Sequence, residues 1–125
     1  MNRDYLLRDI RNVLRKDFEV VNAFTDTSLA ISSGSTSDEI DCDSAQQVFV
    51  TVNNKGSSTD LDVKVFCNYK EGGTYDTTPI TVFNLGSGEQ VSAEVSTGFF
   101  GLKVQVVNND GTNATTVDVD VRVAR

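Results

Sequence analysis

QVFVTVNNKGSSTDLDVKVFCNY, residues 47–69, holds two alternating apolar runs on either side of a polar break. In the first run Val48, Val50 and Val52 share one face; in the second Leu61, Val63, Val65, Cys67 and Tyr69 do. Successive side chains of a strand point to opposite faces, so each run predicts a half-buried β-strand. Each run also carries a phenylalanine, Phe49 or Phe66, on the face that should be wet. If the runs pair directly as a hairpin with Val50 opposite Val65, the two rings stack on the outer face. If the runs belong to different sheets, the rings separate and each needs its own cover.

The same period recurs on both sides of this stretch. FEVVNAF (18–24) is ambiguous between a last helical turn and a strand, and the break near Asp17 favours strand; SLAIS (28–32) is a short strand candidate followed by a linker-like SGSTS. DEIDC (38–42) alternates acid with apolar. After the central runs come the loop EGGTYDTTP, the strand ITVF with Pro79 at its start, VSAEVS, LKVQVV and finally TTVDVDVRV. In that last strand Val117, Val119, Val121 and Val123 oppose Asp118, Asp120 and Arg122, and its charged face argues against a strand covered on both sides. About eight strands at this spacing predict a sandwich or barrel.

Residues 2–16, NRDYLLRDIRNVLRK, have helical spacing instead. Leu6, Leu7, Ile10, Val13 and Leu14 fall on one stripe bordered by Arg8, Arg11 and Arg15. Asn2 suits the cap, and Arg15 with Lys16 suit the negative end of the helix dipole. A segment this short is marginal alone in water and needs a surface to lie against, whether its own β-domain, a partner or a membrane surface. Residues 1–17 are therefore an amphipathic arm and 18–125 the β-domain. The first sixteen residues carry +3 and the remainder −10, for a net charge of −7. That balance argues against wrapping nucleic acid, and no apolar run is long enough to span a membrane. The charged N-terminus has no signal-peptide core, so synthesis in a cytosol is expected.

The chemistry-bearing residues are few. The chain has no histidine, which removes imidazole bases, Ser-His-Asp or Cys-His arrangements and His-containing zinc sites, so no enzyme, catalytic residue, cofactor or metal is expected. Asp38, Glu39, Asp41 and Asp43, or Asn108, Asn109, Asp110 and Asn113, could offer oxygens to calcium, but neither cluster has EF-hand spacing and both read as solvated acids that discourage edge pairing. Cys42 and Cys67 fall with the apolar sets of their runs and read as buried thiols, with a disulfide as the other possibility. Asn113-Ala114-Thr115 matches the glycosylation sequon by chance alone. In TGFFGL an extended backbone turns one of Phe99 and Phe100 away from the core, which makes that ring a contact candidate alongside Phe49 and Phe66, and a covered bend is the other reading.

The segments VFVTVNNKGSS, DVKVFCNY, ITVFNLGSGEQVSAEVS and GLKVQVVNNDGTNATTVDVDVRV resemble immunoglobulin-like sandwich modules of bacterial surface and adhesion proteins. They also resemble the small decoration or cement proteins of tailed bacteriophage heads, in which loops of the EGGTYDTTP kind occur. The resemblance implies an all-β antiparallel sandwich, immunoglobulin-like or jelly-roll, of about seven to eight strands preceded by the N-terminal helix. An adhesion module needs export, whereas a phage structural protein is made in the host cytoplasm and released by lysis. The second resemblance therefore implies a virion protein that docks on the major capsid protein, on another virion protein or on sister subunits, as a trimer by analogy. Leu6, Arg8, Ile10, Arg11, Val13 and Arg15 with Phe49, Phe66, Phe99 and Phe100 are its candidate interface. A surface or carbohydrate-binding module using Tyr69 and Tyr75 is the alternative, and a tail or baseplate component is a third.

Overall fold

The computed structural model describes residues 18–125. The expected helix over 2–16 and the interface candidates Leu6, Arg8, Ile10, Arg11, Val13 and Arg15 lie outside the described residues. Within them every regular element is a strand: β1 (Phe18–Leu29), β2 (Gly34–Thr36), β3 (Ile40–Asp41), β4 (Gln47–Asn54), β5 (Leu61–Asn68), β6 (Thr81–Leu85), β7 (Gln90–Val95), β8 (Gly101–Asn108) and β9 (Thr115–Ala124). One sheet runs β1-β9-β4-β7; the other runs β2-β8-β5-β6, with β3 pairing β8 below β2. All pairs are antiparallel.

The alternating valines explain this packing. Val48, Val50 and Val52 of β4 lie opposite Val123, Val121 and Val119 of β9, and opposite Val95, Ala93 and Val91 of β7. Directly opposed residues share a face, so three strands present one apolar surface. The second sheet answers with Leu61, Val63, Val65 and Cys67 of β5 beside Leu102, Val104 and Val106 of β8. Except at its margins, where Val91 and Ala93 are half-buried, this interior is almost wholly closed to solvent.

The two central runs therefore lie in different sheets, and the hairpin pairing of Val50 with Val65 does not form. Asn53 and Asn54 end β4, and the turn 55–60 carries the chain across to the facing sheet. Three local expectations also change. FEVVNAF and SLAIS are not two strands but one, because bulges between Asn22 and Phe24 and between Phe24 and Thr27 let β1 continue past its phase errors. These bulges turn Phe24 and Leu29 inward while leaving Ile31 exposed after the strand ends. Asp26, at φ 45°, sits in the second bulge; its N–H donates to Asp118 Oδ1 at 2.7 Å, and Lys55 pairs with both Asp26 and Asp118. The supposed linker SGSTS supplies β2, whose backbone pairs with β8 although its side chains are exposed. DEIDC contributes only Ile40–Asp41.

The sandwich has two unlike ends. At the end reached by the close of β4 and β8, polar side chains are buried and tied together. Asn54 Nδ2 donates to the Ser58 and Gly86 carbonyls, each at 2.9 Å, and Thr115 donates to Asn54 Oδ1. Ser58 Oγ donates to Asn108 Oδ1 at 2.6 Å, while Asn108 Nδ2 reaches the Ala30 and Asn113 carbonyls. The reading of Asp110 as a solvated acid fails here, since it is only 8 % exposed. Its carboxylate accepts from the Thr59, Thr112 and Asn113 N–H groups, the Thr59 hydroxyl and the Asn113 amide. These donors hold the carboxyl well below the usual carboxylate range and occupy the oxygens that a cation would need.

Candidate functional site

At the opposite end, the β3–β4 turn, the end of β5 and the β7–β8 loop enclose a cleft of about 340 Å³. Cys42, Asp43, Ser44 and Ala45 form one wall, Gly98, Phe99 and Phe100 another, and Tyr69 stands at the mouth. Backbone bonds set this geometry: Cys42 N–H donates to the Phe100 carbonyl and Phe100 N–H to the Asn68 carbonyl, both at 2.8 Å. Ser44 and Gly98 turn their loops with φ of 60° and 95°, the second a value that glycine adopts without strain.

The FF pair divides between core and surface where the chain bends at Phe100 ahead of β8. Phe99 is buried in the core cluster, and Phe100 is half-buried against the cleft. Tyr69 departs from expectation. Alternation would carry it inward after Cys67, but β5 ends at Asn68, which is buried, and the Tyr69 ring is 65 % exposed. The cysteines are free and buried, with no disulfide between them. Burial pushes the Cys42 thiol up to about 12, so it meets the cleft as a small, protonated, apolar group.

The neighbouring outer face is built around Gly101, which pairs with Asp41 on one side and Asn68 on the other. A Cβ at this position would lie 2.7 Å or less from oxygens of Glu39, Tyr75 and Asn68, so only glycine admits all three. Tyr75 reaches there from the 69–80 loop, which returns along β5 through bonds from Asp76 N–H to the Cys67 carbonyl and from Ile80 N–H to the Val65 carbonyl. Its hydroxyl donates to Glu39, and Lys103 Nζ lies 4.6 Å from its ring centroid. Burial first, and then the bond to Glu39, raise the Tyr75 phenol above its ordinary range. Tyr75 is thus a fastened strut and Tyr69 a presented ring, a distinction that composition does not carry.

The two outward phenylalanines are not brought together. Phe49 lies between Glu94 of β7 and Arg122 of β9 on the outside of one sheet. Phe66 lies beside Lys103 on the outside of the other. Both are half-buried. The cleft end also gathers charge: the Arg125 guanidinium bonds Glu19 at 2.8 Å, the Asp41 carbonyl at 2.6 Å and the Asp43 carbonyl at 3.0 Å, tying the start of β1 and the end of β9 to the cleft wall. Among the described residues, no group of three or more acidic or cysteine side chains could hold a metal ion, and no helix is long and apolar enough to cross a membrane.

No protein-family model and no curated protein matches the sequence. Solved structures do share the architecture. SPBc2 prophage-derived protein YomS superposes with a TM-score of 0.56 at 19% identity, over 87% of this chain and 94% of that one. PBSX exported protein XepA gives 0.63 at 10% identity over 85% of this chain, which spans only 37% of XepA. The CBM36-1 domain of a multidomain xylanase from the hindgut metagenome of Trinervitermes trinervoides gives 0.51 at 9% identity, over 86% and 97% of the two chains. At these identities the likeness establishes the fold, an antiparallel β-sandwich.

Proposed function

We propose that this chain is a non-enzymatic structural component of a tailed-phage virion, a capsid decoration protein that docks on an assembled shell or on sister subunits. The carrying observation is the end-to-end likeness of the sandwich to a prophage-derived protein, of which it covers 94%. The strand order supports the same reading. Sheets ordered β1-β9-β4-β7 and β2-β8-β5-β6 are connected as the two Greek keys of a jelly roll, an architecture common among viral capsid domains, and not as an immunoglobulin-like module. Docking is the task that the site chemistry suits: an aromatic cleft, an exposed tyrosine and no histidine anywhere in the sequence. Immunogold labelling of particles released from the organism that encodes the chain tests the proposal. Label on heads is the expected result; label on tails moves the protein to that structure, and particles without the protein overturn a virion role.

A second reading is favoured by one observation, the Tyr69 ring presented beside Phe100 on a fold shared with a carbohydrate-binding module. An exposed aromatic face stacks on sugar rings. Binding on a glycan array that is lost in Tyr69→Ala supports this reading, and an array without signal removes it.

A further inference from the structure

We propose that the cleft beside Tyr69 is the receptor for the N-terminal segment of a second copy of this chain, into which the apolar stripe of residues 6–14 inserts. The inference rests on the virion reading above and names the contact that would join sister subunits.

Four features identify the occupant. First, buried Cys42 and Phe99 floor the cleft, Ala45 and Phe100 with Asp43, Ser44 and Gly98 wall it, and an exposed tyrosine stands at its mouth, a mixed surface that suits an amphipathic segment bearing both aliphatic and basic side chains. Second, the sequence of residues 2–16 predicts a helix whose stripe of Leu6, Ile10 and Val13 needs an apolar partner. Third, the charges are complementary. Glu19, Asp41 and Asp43 stand at the cleft end, the first two paired to Arg125, whereas the first sixteen residues carry +3. Fourth, the described chain begins at this end, where Phe18 pairs with Ala124 and Arg125 fastens Glu19 beside the cleft wall, so every copy presents donor and receptor together.

Donation to a neighbour follows from the connection. Arg15, Lys16 and Asp17 alone join Leu14 to β1, a tether of about 10 Å at full extension that leaves little slack for folding back onto the same copy. A contact in which each copy donates one surface and accepts on another is heterologous, and it closes into a ring when the rotation permits.

The test uses the full chain. Light scattering on a sizing column gives the oligomeric state of the wild type, of Ile10→Asp in the donor and of Phe100→Ser and Tyr69→Ser in the receptor. The wild type should be oligomeric, and each variant should dissociate with a dissociation constant raised at least about tenfold, the usual effect of removing a central anchor. Tyr69→Ser removes an exposed ring, so an unchanged thermal midpoint separates lost docking from lost folding. A photo-crosslinker at position 10, in an equal mixture of isotopically heavy and light chains, should join heavy to light at residues 42–45, 69 or 98–100. A monomeric wild type, crosslinks confined to one copy, or crosslinks elsewhere overturn the inference. Particle labelling separates the two claims: labelled particles with a negative crosslinking result refute only this contact, and unlabelled particles refute the virion reading itself.

Discussion

Two residues carry more of the architecture than their size suggests. Gly101 leaves the room in which Glu39, Tyr75 and Asn68 converge, and the Tyr75 ring is rigid, so an added methyl displaces it. Gly101→Ala should cost about 1–3 kcal/mol, the usual penalty for overpacking. It should also free the 69–80 loop, giving faster limited proteolysis between Lys70 and Pro79 while the β4–β9 pairing stays protected from hydrogen exchange; an unchanged cleavage rate would contradict the strut. Asp110 works at the other end. Its folded carboxyl titrates below the ordinary value of about 3.9, so its contribution to stability is complete above that pH and is lost as pH falls through the folded value. Asp110→Asn should therefore lower the urea midpoint clearly at pH 6 and progressively less towards pH 2. An equal loss at both pH values would mean that shape, and not charge, is what Asp110 contributes.

At the scale of elements, the fate of the two outward phenylalanines follows from which sheet each strand joins. A β4–β5 hairpin would place the rings in contact and couple them; with β4 and β5 in opposite layers they lie on opposite outer faces of the sandwich. Phe49→Ser and Phe66→Ser should then add, the double variant matching the two singles within about 0.5 kcal/mol by denaturant unfolding, and a larger coupling would place the rings together after all. The strands themselves were legible because burial on one side imposes a period of two, which β4, β5, β8 and β9 obey almost without exception. β2 was hidden because it contributes backbone bonds and no buried side chain. β1 was split because its bulges reset the phase of its alternation. Part of the site is readable from composition: two adjacent rings flanked by glycines in TGFFGL leave one near the surface, which is Phe100. Alternation misplaces Tyr69 because β5 ends at Asn68, whose side chain is held on the outer face by Glu39 and the Gly73 carbonyl under the returning 69–80 loop, a tertiary event with no trace in the alternation.

For the whole molecule, the order of strands is the feature that local pattern leaves open, and it has a kinetic consequence. β1 pairs with β9 from Phe18 opposite Ala124 to Leu29 opposite Thr115, so the first described strand closes on the last. The path from β4 to β5 crosses between sheets, as do the paths from β7 to β8 and from β8 to β9. Almost every stabilising contact therefore awaits closure of a long loop, whose entropy is lost before the valine faces meet. Refolding from urea should accordingly occupy the millisecond-to-second range typical of sandwiches, followed by tyrosine fluorescence because the chain has no tryptophan. Trimming the Arg125 side chain in Arg125→Ala removes bonds that join β1 and β9 to the cleft wall only after closure, so it should speed unfolding while leaving the refolding rate nearly unchanged. Submillisecond refolding, or an Arg125→Ala variant that slows folding as much as it destabilises, would place closure of this end early and reverse the order in which the sandwich is assembled.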